Sequence, residues 1–90
     1  SIEQTRRGIA RLTDILTAAG ASVAKSHANF VWARFPFPTA SLCDGLLAKG
    51  VIIRSGDGFG CPDCVRVSVG TDEELNAFEL ALKEVMRVEA

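Results

Sequence analysis

From Cys64 to Val69 apolar and polar residues alternate without a break, so an extended chain here sets Val65, Val67 and Val69 on one side and Cys64, Arg66 and Ser68 on the other. This is a strand with one buried face, and Arg66 points away from it. Upstream, Val51 and Ile53 alternate with Ile52 and Arg54, which ends a second strand on an arginine where the chain enters the glycine-rich stretch SGDGFG. That loop can return Arg54 to the neighbourhood of Arg66. Two adjacent guanidiniums repel unless an anion lies between them, and a planar guanidinium fork matches a carboxylate or a phosphate. The pattern alone leaves an equal alternative, two solvated or salt-bridged arginines, because most charged residues are surface residues.

The flanking segments supply the rest of a small domain. Ile9, Leu12, Leu16 and Ala19 recur at helical spacing while Arg6, Arg7, Arg11 and Asp14 take other faces, which predicts an amphipathic helix ending at Gly20. Residues 21–25 form a short extended candidate. Asn29 to Phe35, NFVWARF, is β-rich and apolar on both alternating faces, Phe30 and Trp32 against Val31, Ala33 and Phe35. Pro36 and Pro38 stop it. Thr39 is then placed to cap a helix over residues 40–49, with Leu42, Leu46 and Leu47 inward and Gly50 as its stop. After the arginine strands, Thr71, Asp72, Glu73 and Glu74 make a T-x-x-E capping box, and Leu75, Phe78, Leu82 and Val85 continue as a buried helical stripe.

Helix, short strand, strand, helix, strand, strand, helix is the order of a single α+β domain. The expected fold is a two-layer sandwich, a small and mainly antiparallel sheet covered on one face by helices. The other face, with its arginines and the second apolar side of NFVWARF, is left toward solvent or toward something outside this chain.

Ninety residues suffice for one modest core and no second domain. With 48% hydrophobic and 23% charged residues and a formal net charge of -1, neither a nucleic-acid nor a membrane surface is expected. No apolar run reaches the roughly 18 residues of a membrane span and no signal-peptide pattern is present, so a cytoplasmic setting is expected. An odd count of three cysteines then reads as reduced thiols. The chain opens on Ser1 in what reads as mid-helix, without a capping entry, as a piece of a longer polypeptide or a processed start would.

Cys61-Pro62-Asp63-Cys64 is a C-x-x-C, but it runs into a strand rather than opening a helix as a thioredoxin-like dithiol does. For zinc only Cys43 and His27 remain as further ligands. A turn centred on Pro62 and Asp63 is expected instead, with no metal bound. His27, the single histidine, has no serine or cysteine partner at readable spacing, and no carboxylate pair suggests acid and base catalysis. SGDGFG matches neither the dinucleotide fingerprint nor the P-loop and reads as a flexible connection.

Three ordered motifs carry a family resemblance: Ala28 to Phe35 (A-N-F-V-x-x-R-F), Leu46 to Arg54 (L-L-x-x-G-V-I-I-R) and Cys64 to Glu74 (C-V-R-V-S-V-G-T-x-E-E). Together they resemble the C-terminal small domain of the fold-type I pyridoxal-phosphate aminotransferases, the histidinol-phosphate enzymes among them. With its flanking helices the resemblance covers nearly all of residues 1–90. It implies that Arg66 clamps a substrate carboxylate or phosphate, that Arg54 joins it, and that Asn29 stands at the mouth of the site. It also implies a cofactor, pyridoxal phosphate, held by a large domain that this chain lacks, in a homodimeric parent. Lys25, Lys49 and Lys83 sit in nothing like the Schiff-base motif, so the chain alone is expected to bind no cofactor, to hold no catalytic residue and to be inactive. Trp32 and the CPDC turn depart from the family pattern and leave the substrate open. The alternative from another functional class is a free-standing α+β module that captures a small anionic metabolite through Arg54 and Arg66.

Overall fold

The computed structural model describes residues 2–24, 29–48 and 53–89, with side chains to residue 87. Its elements are α1 (Ile2–Ala18), β1 (Ser22–Val23), β2 (Phe30–Arg34), α2 (Ala40–Ala48), β3 (Arg54–Ser55), β4 (Cys64–Ser68) and α3 (Asp72–Glu89), with a 3-10 turn over Gly56–Phe59. The four strands form one sheet in the order β1-β2-β4-β3, every neighbouring pair antiparallel. This is the two-layer α+β sandwich that the alternation and the helical stripes predict.

One face of the sheet is the floor of the core. Val31, Ala33, Val65 and Val67 point into it and meet Leu12, Ile15 and Leu16 of α1, Leu42 and Leu46 of α2, and Leu75, Phe78, Leu82 and Val85 of α3. All three helices therefore lie on the valine side. Two glycines let helices approach closely: a Cβ on Gly8 would come 2.4 Å from Val69 Cγ1, and one on Gly45 would come 2.9 Å from Val85 Cγ1. Gly20, at φ 97, takes the left-handed turn that ends α1, and the Ala21 N–H donates to the Leu16 carbonyl at 3.0 Å.

The capping box is formed in both directions. Thr71 N–H donates to Glu74 Oε1 at 2.9 Å, and Glu74 N–H donates to Thr71 Oγ1 at 3.1 Å. Across the helix layer Arg11 ties α1 to α3, donating to Asn76 Oδ1 and lying 3.7 Å from Glu79 Oε1.

Several expectations are corrected. Leu47 is 58% exposed, because Leu42 and Leu46, four residues apart, already define the inward line of α2. Ile15 widens the buried stripe of α1. Thr39 does precede α2, and its carbonyl accepts the Cys43 N–H at 2.9 Å, but its fully buried side chain turns the other way. Thr39 Oγ1 lies 3.1 Å from the Pro62 carbonyl and 3.0 Å from that of Cys64, so the hydroxyl fastens α2 to the turn before β4 rather than capping its own helix. SGDGFG is an ordered 3-10 turn capped at both ends, by Ser55 Oγ on the Asp57 N–H and by Gly60 in the left-handed region. The expected stop at Gly50, and Val51 and Ile52 of the expected strand, lie outside the described residues. Among those described, no helix is long and apolar enough to cross a membrane.

Candidate functional site

The site is a row across the uncovered face of the sheet. In register, Trp32 of β2 stands opposite Arg66 of β4, and Arg66 stands opposite Arg54 of β3. Directly paired residues share a face, with Cβ atoms typically about 5 Å apart. Both guanidiniums thus leave the sheet on the side away from the helices, Arg54 exposed and Arg66 half-buried. The alternation around Val65 predicts that orientation, and the register supplies the proximity that the sequence left as a possibility.

Aromatic rings flank Arg66 and its cross-strand neighbour Trp32. The Arg66 guanidinium lies 5.1 Å from the centre of the Phe30 ring, a cation–π contact that fixes its direction. Phe59, 71% exposed in the 3-10 turn, meets Trp32 edge-on with ring centroids 5.7 Å apart. Among the described residues no carboxylate forms an ion pair with Arg54 or Arg66. Within those residues the two guanidiniums face solvent, Arg54 exposed and Arg66 half-buried against Phe30, so the solvated half of the alternative stands beside the anion clamp. Guanidiniums placed side by side carry the donors that charge-assisted hydrogen bonds to an anion require.

Asn29 is not in this row. It is exposed just before β2, its carbonyl accepts the Val69 N–H at 2.8 Å, and its place in the alternation is that of Val31 rather than of Phe30. His27, Lys25 and Lys49 lie outside the described residues.

At the opposite end of β2 and β4 from Asn29, where Arg34 pairs with Cys64, is the C-x-x-C. Its Cys64 N–H donates to the Cys61 carbonyl at 3.1 Å, the expected turn with Pro62 and Asp63 at its centre. Cys61 and Cys64 are joined in a disulfide, which corrects the expectation of reduced thiols for these two. The turn holds their Cα atoms 5.5 Å apart, within the span a disulfide bridges. Arg34 leans over it, Nη2 at 3.4 Å from Cys61 Sγ and Nε at 3.6 Å from Asp63 Oδ2. Cys43 is free, and burial pushes its thiol up, with Thr39 hydrogen bonding acting against that shift and the Asp44 charge adding to it.

The chain matches the model of the aminotransferase class I and II family over residues 1–80. It belongs to that family. It is 40% identical over 84 residues to histidinol-phosphate aminotransferase 2 of Pasteurella multocida, covering 93% of this chain and 23% of that protein. The histidinol-phosphate aminotransferase of Nitratidesulfovibrio vulgaris strain Hildenborough is 38% identical over 86 residues, 96% of this chain and 23% of that one. Among solved structures, the histidinol-phosphate aminotransferase of Sinorhizobium meliloti in complex with pyridoxal-5'-phosphate superposes with a TM-score of 0.87 at 25% identity, over 97% of this chain and 25% of that chain. That of Clostridium acetobutylicum gives 0.84 at 27% identity, over 94% and 27%. The aminotransferase segment thus spans about a quarter of the length of the relatives it matches.

Holding pyridoxal phosphate takes a lysine amine, an acidic partner for the ring nitrogen and donors for the phosphate. Among the described residues of this aminotransferase segment the lysine is Lys83, exposed on α3 and 3.9 Å from Glu79, with the sheet between it and the arginine row. These residues do not fit the cofactor.

Phe30 and Phe59 are the site residues that sequence reasoning missed. Phe30 shares the parity of Trp32 and Arg66, a signal that was legible. Phe59 had none, since only the 3-10 turn brings it back over the sheet.

Proposed function

We propose that these ninety residues are the C-terminal small domain of a pyridoxal-phosphate-dependent aminotransferase of the histidinol-phosphate type, and that Arg66 and Arg54 clamp the phosphate or carboxylate of its substrate. The observation that carries this is the direct pairing of Arg54 with Arg66 on the helix-free face of a family sheet. Each guanidinium presents a planar set of donors, and two of them converging on one anion give geometry as well as charge. For Asn29, which stands off the arginine face at the end of the sheet, a place at the mouth of the site rests on the family resemblance alone.

The cofactor, which supplies the electron sink for amino-group transfer, belongs in this reading to a large domain outside the chain, in a cytoplasmic homodimer. This domain contributes position rather than chemistry. It holds the substrate by its anionic end, fixes the distance from there to the amine, and excludes water when it closes. Alone it is inactive.

The test is the native polypeptide, detected in its source cells with an antibody raised against this domain. A product several times larger than 9.6 kDa that transaminates histidinol phosphate supports the reading. A native product of this size that binds an anion unaided overturns it in favour of a free-standing binding module.

A further inference from the structure

The Cys61–Cys64 bond sits where the two arginine strands are fastened together, and nothing in the anion clamp requires it. Gly56 follows Arg54 by two residues and Cys64 precedes Arg66 by two. Between them the backbone is knotted by short contacts: the Cys61 N–H donates to the Gly56 carbonyl at 2.9 Å, and a Cβ on Gly56 would come 2.8 Å from Cys64 Cβ. Thr39 N–H donates to the Pro62 carbonyl and Phe35 N–H to that of Asp63, both at 2.9 Å. Whatever moves this turn moves the junction of β3, the 3-10 turn and β4.

We propose that Cys61 and Cys64 are a reversible thiol–disulfide modification site that sets the rigidity of the segment bearing Arg54 and Arg66. Three observations bear on this. The bond closes a loop of only four residues, so it removes little freedom from the unfolded chain and contributes far less to folding than a long-range bridge. The turn's own backbone hydrogen bonds keep the two sulfurs neighbours when the bond is open, so closure is intramolecular and easily repeated. Both cysteines are half-exposed, which admits a small thiol or disulfide.

Charged groups flank the Cys61 sulfur on both sides, Arg34 Nη2 at 3.4 Å and Asp63 Oδ1 at 3.3 Å, and Arg34 and Asp63 are themselves paired. In the oxidising direction a small-molecule disulfide is the oxidant. One cysteine thiolate attacks it, expelling one small thiol and forming a mixed disulfide; the second cysteine displaces the other. Two protein thiols become one S–S bond, the reagent's S–S bond becomes two thiols, and two electrons pass to the reagent. Excess small thiol reverses both steps.

The test uses the full-length protein poised in buffers of oxidised and reduced glutathione, alkylated and peptide-mapped. The expected result is a linked Cys61–Cys64 peptide in oxidising buffer and two alkylated cysteines in reducing buffer, fully interconvertible. Hydrogen exchange over residues 53–66 should be about five-fold faster in the reduced protein. Wild-type protein in its two states is compared with itself, and Cys61→Ser with Cys64→Ser should hold the fast-exchanging behaviour in either buffer. Absence of the linked peptide across all ratios, or identical exchange in both states, overturns the proposal. Binding of inorganic phosphate, measured alongside, separates this site from the clamp. Exchange that changes while phosphate affinity stays constant keeps the redox site and shows that the clamp works without the bond.

Discussion

Arg54 and Arg66 stand directly opposite one another across β3 and β4, two like charges in a register position where opposite charges would be preferred. Like charges directly opposite one another are destabilising, and the exposure of Arg54 keeps the cost below about 1 kcal/mol. Arg54→Gln should therefore leave thermal stability unchanged or slightly raised in phosphate-free buffer. Added phosphate should raise the melting temperature of the wild type but not of the variant, as differential scanning calorimetry would read.

Phe30 holds Arg66 in place from one side. An exposed cation–π contact contributes about 0.5–1 kcal/mol, so Phe30→Leu should weaken anion binding by about two- to five-fold while preserving the fold. A titration with inorganic phosphate, accompanied by circular dichroism, checks both halves.

Close helix packing at Gly8 predicts a clash that helix propensity cannot offset. Gly8→Ala should gain up to about 1 kcal/mol of propensity, yet its methyl must displace the β-branched Val69 side chain, which has little rotamer freedom. Overpacking of this kind costs about 1–3 kcal/mol, so a net loss is expected in urea denaturation. The double variant Gly8→Ala with Val69→Ala should recover most of it.

The capping box has a pH signature. Glu74 is held below the usual carboxylate range, first by the Thr71 backbone N–H and then by the Thr71 side chain. A carboxyl with a depressed folded-state pKa contributes stability above its unfolded pKa and loses it as pH falls through the folded value. Thr71→Ala should cost about 1 kcal/mol at neutral pH. The wild type and Glu74→Gln should converge in stability as the solution is acidified, followed by thermal melts from neutral to acid pH.

How much of this was legible depends on the range of the interaction. Leu75, Phe78, Leu82 and Val85 announce α3 because helical periodicity is local, and Thr71 with Glu74 announces its start for the same reason. The outward direction of Arg66 follows from its valine neighbours. Thr39 was misread because a threonine before a helix has two uses, capping its own N-terminus or reaching across the fold, and only the position of the Pro62–Cys64 turn decides between them. The same holds for Arg34 and Asp63, whose ion pair joins segments far apart in sequence. Cys61 and Cys64 gave a correct turn but not their bond, since compartment arguments describe cysteine usage in general and not the geometry of one turn.

Central to the account is that Arg54 and Arg66 act on one anion together. The most direct measurement is the dissociation constant of the full-length protein for inorganic phosphate in the wild type, Arg54→Ala, Arg66→Ala and the double variant. Hydrogen bonds to a charged group contribute about 1.5–3 kcal/mol, so each single variant should bind about ten- to a hundred-fold more weakly. The double variant should lose less than the product of the two, because each arginine depends on the other to fix the anion. Single variants that bind phosphate as well as the wild type would contradict the clamp.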